Sequence, residues 1–180
     1  KEVLEIQLPW LDGVTRARTP KRLPVVLTED ETKRVLAGLP GRWSLIGRLL
    51  YGTGMRLMEC LRLRVKDVEF SRREIIVRSG KGDKDRITML PLSLITELQT
   101  QLQIVKQLHQ RDLAEGFGDV WLPHALARKY PNAGRELGWQ YLFPSESRCI
   151  DPRSEVIRRH HVHEKGLQRA IRQSVHDAGI

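Results

Sequence analysis

The chain has 180 residues, enough for one domain with a sizeable core, and its 40% hydrophobic and 29% charged shares exclude an intrinsically disordered chain. A formal charge of +9 and a pI near 10.0 favour a polyanionic partner, nucleic acid being the usual one, against the alternatives of a solvated basic surface or an anionic membrane face. Two distant cysteines, Cys60 and Cys149, exclude a disulfide framework and a CxxC metal pair, and no apolar run approaches the roughly 18 residues of a membrane span.

Residues 1–24 end in GVTRARTPKRLP and mix Gly, Pro and basic residues without periodicity. They read as a linker leading into a domain. The chain opens on Lys1 rather than Met, which points to a start other than the native one, and no signal peptide opens it; the two distant cysteines are compatible with a reducing cytoplasm. Thr28 with Glu31 forms a capping box, and Val35, Leu36 and Leu39 supply the apolar face of a first helix. A second helix over about 42–51 places Leu45, Ile46, Leu49 and Leu50 at helical spacing and stops at Gly52-Thr53-Gly54. A short helix continues through Arg56, Glu59 and Leu63.

The period then changes to two. Val68/Phe70, Ile75/Val77 and Ile87/Met89 each put alternate side chains on one face, with turns at 71–73 and 79–85. This predicts a three-stranded antiparallel sheet that ends at Pro91. A long amphipathic helix follows, carrying Leu94, Leu98, Leu102, Val105 and Leu108, and closes near Gly116. Residues 117–150 hold six of the ten aromatics and read as an insertion with a short helix over 122–129 and an extended WQYLFPS. A last helix over 164–178 carries Leu167, Ile171 and Val175, with Gly179 as its C-cap. The fold class is therefore α+β, mainly helical, with helices around one small sheet.

Three constellations could carry chemistry. In Gly52-Thr53-Gly54-Met55-Arg56-Leu57-Met58-Glu59, two glycines deliver Arg56 to the start of a helix, where its fork of donors suits a phosphate. Glu59, one turn later, can hold that guanidinium; the alternative is an ordinary surface salt bridge. In Ser79-Gly80-Lys81-Gly82, a lysine on a hairpin tip can protonate a leaving oxygen or bind a DNA backbone, or it decorates a solvated turn. Arg158-Arg159-His160-His161-Val162-His163 lacks the spacing of a metal site, even with Cys149 or Asp151 as a fourth partner, and reads as a basic, ring-bearing patch or a solvated face.

In order along the chain, TGMRLMECLRLRVKDVEF, IIVRSGKGDKDRITMLPL and YLFPS resemble the catalytic domain of the tyrosine recombinases from about Leu23 to Ile180. The resemblance implies a domain truncated at its C-terminus over 25–180, with a remnant of the N-terminal core-binding domain in the linker of 1–24. It makes Arg56 the active-site arginine, with Glu59 as its support, and Lys81 the hairpin lysine. VWLPHALARKYPNAGRELGWQY, DPRSEVIRRHH and QRAIRQSVHDAGI are similar to the segment that distinguishes the integron integrases, here an insertion region over 117–163. Those enzymes recombine gene cassettes on folded single strands and read bases extruded from the hairpin. By that resemblance Trp139, Pro152, His160 and His161 contact the extruded bases, and Leu122 and Lys129 are further DNA contacts. Trp139 also reads as a core aromatic.

The implied reaction needs no metal, ATP or other cofactor. A tyrosine attacks a phosphodiester to form a 3′-phosphotyrosyl link, a 5′-hydroxyl leaves, Arg56 stabilises the non-bridging oxygens and Lys81 protonates the leaving oxygen. The family's His-x-x-Arg segment, a further histidine and the tyrosine would follow Ile180. None of Tyr51, Tyr130 and Tyr141 is read as the nucleophile, so this chain alone is expected to be inactive. The implied partners are DNA and, at full length, further copies of the enzyme on DNA, in the bacterial cytoplasm and without a membrane. The rival readings are a type IB topoisomerase and a non-catalytic DNA-binding module.

Overall fold

A computed structural model describes residues 26–78 and 84–180, with His124 described by its backbone alone. The expected linker over 1–24 and Lys81 on the hairpin tip lie outside the described residues. Helix α1 (Glu29–Gly38) opens on the expected box. The Glu31 N–H donates to Thr28 Oγ1 at 3.3 Å, and the Thr28 N–H donates to the Glu31 carboxylate at 2.7 Å. Helix α2 (Arg42–Thr53) runs through Gly52 before closing at Gly54, whose φ of 64° is left-handed. Five residues of helix, α3 (Leu57–Leu61), follow Arg56.

The sheet has the expected order. Strands β1 (Val68–Glu69), β2 (Glu74–Val77) and β3 (Arg86–Met89) pair antiparallel as β1-β2-β3. Helix α4 (Ile95–Ala114) then crosses the molecule, α5 (His124–Lys129) sits in the aromatic-rich segment, and β4 (Cys149–Ile150) pairs with β5 (Ile157–Arg158). Helix α6 (Glu164–Asp177) ends at Ala178, with Gly179 left-handed just beyond. Among the described residues no helix is long and apolar enough to cross a membrane.

One core joins α2, α3, β2, α4 and α6 through Ile46, Leu49, Leu61, Ile75, Leu98 and Leu167. Leu142 and Phe143, from the extended WQYLFPS stretch, are enclosed in it. The aromatic-rich segment is thus anchored in the main core by its own C-terminal end. A second, smaller cluster of Val120, Leu122, Ala133 and Tyr141 forms beside it, with Trp139 packed on its edge.

One expectation needs correction, the strand position of Phe70, and two further features lay outside the pattern. Ile87 and Met89 do share a face, but it is the outer one, where they are 62% and 64% exposed. The register pairs Ile76 with Ile87 and Glu74 with Met89, so Arg86 and Thr88 turn inward instead. There Thr88 donates to the Thr53 carbonyl at 3.2 Å, and Arg86 reaches α3. In addition, Phe70 lies beyond β1 and packs on the core from the following turn, and the β4–β5 hairpin carried no period-two signal, being two residues on each side.

Candidate nucleic-acid interface

Arg56 immediately precedes α3, and Glu59 lies on that helix one turn later. Glu59 accepts the Arg56 backbone N–H at 2.8 Å and Arg56 Nη1 at 2.8 Å. From the other side Arg86 donates Nη1 at 2.9 Å and Nη2 at 2.6 Å. The Arg86 bonds, assisted by Arg56 and opposed by burial, hold the Glu59 carboxyl down at about 2. Glu59 therefore stays ionised while most of the Arg56 side chain, 57% exposed, remains available to a ligand.

The second half of the site is built from three extended segments lying side by side. The Leu142 N–H donates to the Leu63 carbonyl at 2.8 Å and the Val65 N–H to the Gln140 carbonyl at 3.0 Å, which sets Arg64 beside Tyr141. On the far side of that middle segment, the Val162 N–H donates to Phe143 and the Ser145 N–H to His160. The backbone thereby brings residues from three distant stretches of sequence into one wall. Tyr141 and His161 meet edge to face, with ring centroids 5.3 Å apart. The His161 Nδ1 lies 2.8 Å from the Val162 carbonyl, and burial pushes the ring's pKa below its usual value.

These elements surround a cavity of about 930 Å³. Of the residues singled out from sequence, Arg56, Glu59, Trp139, Pro152, His160 and His161 all line it. Leu122 does not; it is buried in the second cluster. Lys129 lies at the end of α5, outside the cavity lining, with its ammonium 5.3 Å from the Tyr130 ring. Trp139 packs on the second cluster, as a core aromatic would, and also borders the cavity. The Lys66 ammonium covers its ring 2.7 Å from the centroid, and burial, followed by repulsion from Arg78, lowers that lysine's pKa to about 8. The Nε2 of His160 is buried without a hydrogen-bond partner among the described residues.

The RRHH run divides its labour. Arg159 donates Nε and Nη2 to the buried Asp112 carboxylate on α4, both at 2.7 Å. Arg158 donates to Asp119 at 2.7 Å and to Asp151 at 3.0 Å. Both arginines are thus structural, and they hold the two histidines that follow against the cavity. Among the described residues no group of three His, Cys, Asp or Glu is placed to hold a metal ion.

Sequence reasoning missed several lining residues. Arg62, Arg64, Arg78 and Arg153 face the cavity alongside Trp121. Arg153 stacks over the Trp121 ring at 4.8 Å, and Arg78 donates to the buried Asp67 carboxylate at 2.7 Å. In a chain with 31 lysines and arginines, single basic residues carry no signal of their own. Their cavity is a concave, ring-lined and cation-rich surface suited to an anionic, planar ligand such as a nucleotide.

Residues 25–180 match the phage integrase family. Proteins described as integrase/recombinase from Escherichia coli and Pseudomonas aeruginosa are each 50% identical over 179 residues, 99% of this chain and 53% of theirs. The tyrosine recombinase XerA of Pyrococcus furiosus is 42% identical over 89 residues, 48% of this chain and 31% of that protein. The chain spans about half the length of the two integrase/recombinase relatives. A crystal structure of XerA recombinase superposes with a TM-score of 0.53 at 28% identity, over 92% of this chain and 46% of that one. By its matched residues and its fold, the chain belongs to the phage integrase family of tyrosine recombinases.

Proposed function

We propose that this chain is the first part of the catalytic domain of an integron-type recombinase, which integrates and excises gene cassettes by transesterification. Within it Arg56 stabilises the phosphate undergoing attack, Glu59 keeps Arg56 in place, and Lys81 protonates the leaving 5′-oxygen. The tyrosine nucleophile and its neighbouring histidine and arginine come from sequence beyond Ile180. Residues 1–24 link to a core-binding domain, and residues 117–163 form the insertion that reads bases extruded from a folded single strand. The assembled enzyme works as several copies on DNA in the bacterial cytoplasm.

One observation carries this reading: Arg56 and the rings of Trp139, His160 and His161 border a single cavity. A phosphate-directed guanidinium and stacking surfaces for unpaired bases are thereby within reach of one nucleic-acid strand. The test compares a hairpin with bulged bases against the same hairpin with its bulges deleted. Trp139→Ala and His161→Ala are expected to weaken binding to the bulged hairpin by about five- to a hundred-fold, the worth of one base stack, and to leave the other unchanged. Equal losses on both hairpins would return these residues to a purely structural role.

A further inference from the structure

Arg64 takes no part in the reaction just described, yet its surroundings are unusual for an arginine. The residue is 8% exposed, and burial lowers the pKa of its guanidinium. Its Nη1 donates to the Trp139 carbonyl at 2.5 Å and its Nη2 to the Trp121 carbonyl at 2.9 Å. The guanidinium centre lies 4.6 Å from the Tyr141 ring centroid and 5.8 Å from that of Trp139. Asp67 accepts the backbone N–H of Arg64 at 3.0 Å and gives its own carboxylate to Arg78.

The guanidinium thus donates to two neutral carbonyls, with the Tyr141 side chain as a further hydrogen-bond partner, the Asp67 carboxylate nearby and aromatic faces completing its surroundings. A cation desolvated in this way costs stability that an apolar side chain of the same volume would not. What the planar fork does supply is geometry, because two rigid donors set the spacing between two backbone segments. Those segments carry Trp121 and Trp139, both of which line the cavity, and Tyr141 lies against the same guanidinium.

The geometry points to Arg64 as a positioning residue that fixes Trp121, Trp139 and Tyr141 relative to one another, and so sets which unpaired base the cavity accepts. This inference rests on the base-reading function proposed above. Arg64 acts through Trp139 rather than as one more phosphate contact. Lysine cannot replace it, since a single ammonium is a point charge without a fixed fork.

The experiment measures binding of the 180-residue chain to the bulged and bulge-deleted hairpins, alongside thermal melting. Arg64→Lys is expected to melt cooperatively, to bind the bulged hairpin about tenfold more weakly, on the scale of one lost base stack, and to bind the bulge-deleted hairpin as the parent does. Combined with Trp139→Ala, it should add clearly less than its loss as a single variant, because part of its effect passes through that ring. Additive losses, or equal losses on both hairpins, would overturn the positioning role. So would failure of both Arg64→Lys and Arg64→Gln to fold, which would assign Arg64 to stability alone. A parent that binds both hairpins alike overturns base reading itself, and this role with it. A discriminating parent with an equally discriminating Arg64→Lys overturns the Arg64 assignment only.

Discussion

Arg86 donates both terminal nitrogens to Glu59, at 2.9 and 2.6 Å, and so fastens β3 to the helix that begins after Arg56. A bidentate pair of this kind holds direction as well as distance. The cation that points toward the cavity, Arg56, is therefore aligned by a carboxylate that the sheet itself keeps in place.

That relationship sets an acid limit on stability. Glu59 titrates at about 2 in the folded chain, against an ordinary value of 4.5. A depressed carboxyl contributes stability above its unfolded value and loses it as pH falls through the folded one. The melting temperature of the parent should therefore drop between pH 4.5 and about 2. Glu59→Gln should melt several degrees lower at pH 7 and be flatter across that window. A variant with the parental acid profile would show that Glu59 is not the group responsible.

Asp112 tests a different kind of ion pair. Its carboxylate is 6% exposed and faces Arg159, 11% exposed, as well as Arg148. Removing one partner of a buried pair strands the other charge, so Asp112→Ala should cost about 3–5 kcal/mol in urea denaturation. Glu29→Ala, which breaks the exposed Glu29–Lys33 pair on α1, should cost under about 1 kcal/mol. Comparable costs would place Asp112 among ordinary surface charges.

The legibility of the sequence follows from what leaves a local trace. The Thr28–Glu31 box, the leucine spacing of α2 and the glycine that closes it are interactions among neighbours, and all are found where the pattern put them. The clamp of Glu59 on Arg56 is local too, three residues apart. Arg64 leaves no such trace. It sits in a run of alternating leucines and arginines, and its carbonyl partners lie 57 and 75 residues away. The outward turn of Ile87 and Met89 was equally hidden, because period two fixes which residues share a face but not which face is buried.

On the proposed function, Arg56→Ala and Lys81→Ala in a protein extended past Ile180 to include a tyrosine nucleophile should reduce strand cleavage by roughly 10²–10³ while changing DNA affinity modestly. Each is one cation among many on a basic chain, so binding tolerates its loss better than catalysis does. Cleavage of a nicked suicide substrate, read as a covalent adduct on a denaturing gel, separates the two effects. The 180-residue chain by itself should give no adduct. An adduct would make Tyr51, Tyr130 or Tyr141 a nucleophile, and parental cleavage by either variant would remove that residue from the chemistry.

The three extended segments that form the cavity wall also dictate an order of events as the chain folds. The α2–α3 turn and the β1–β2–β3 sheet close over short separations, so Glu59 can meet Arg86 early. Arg64 must wait until residues 139–142 return to it across a loop of more than seventy residues, a closure whose entropic cost comes before any packing rewards it. A ribosome-bound chain that has emerged only as far as α4 would hold Arg56 against Glu59 with no chamber around it. The wall of the cavity is thus completed after the arginine clamp that it borders, and α6 closes on the core later still.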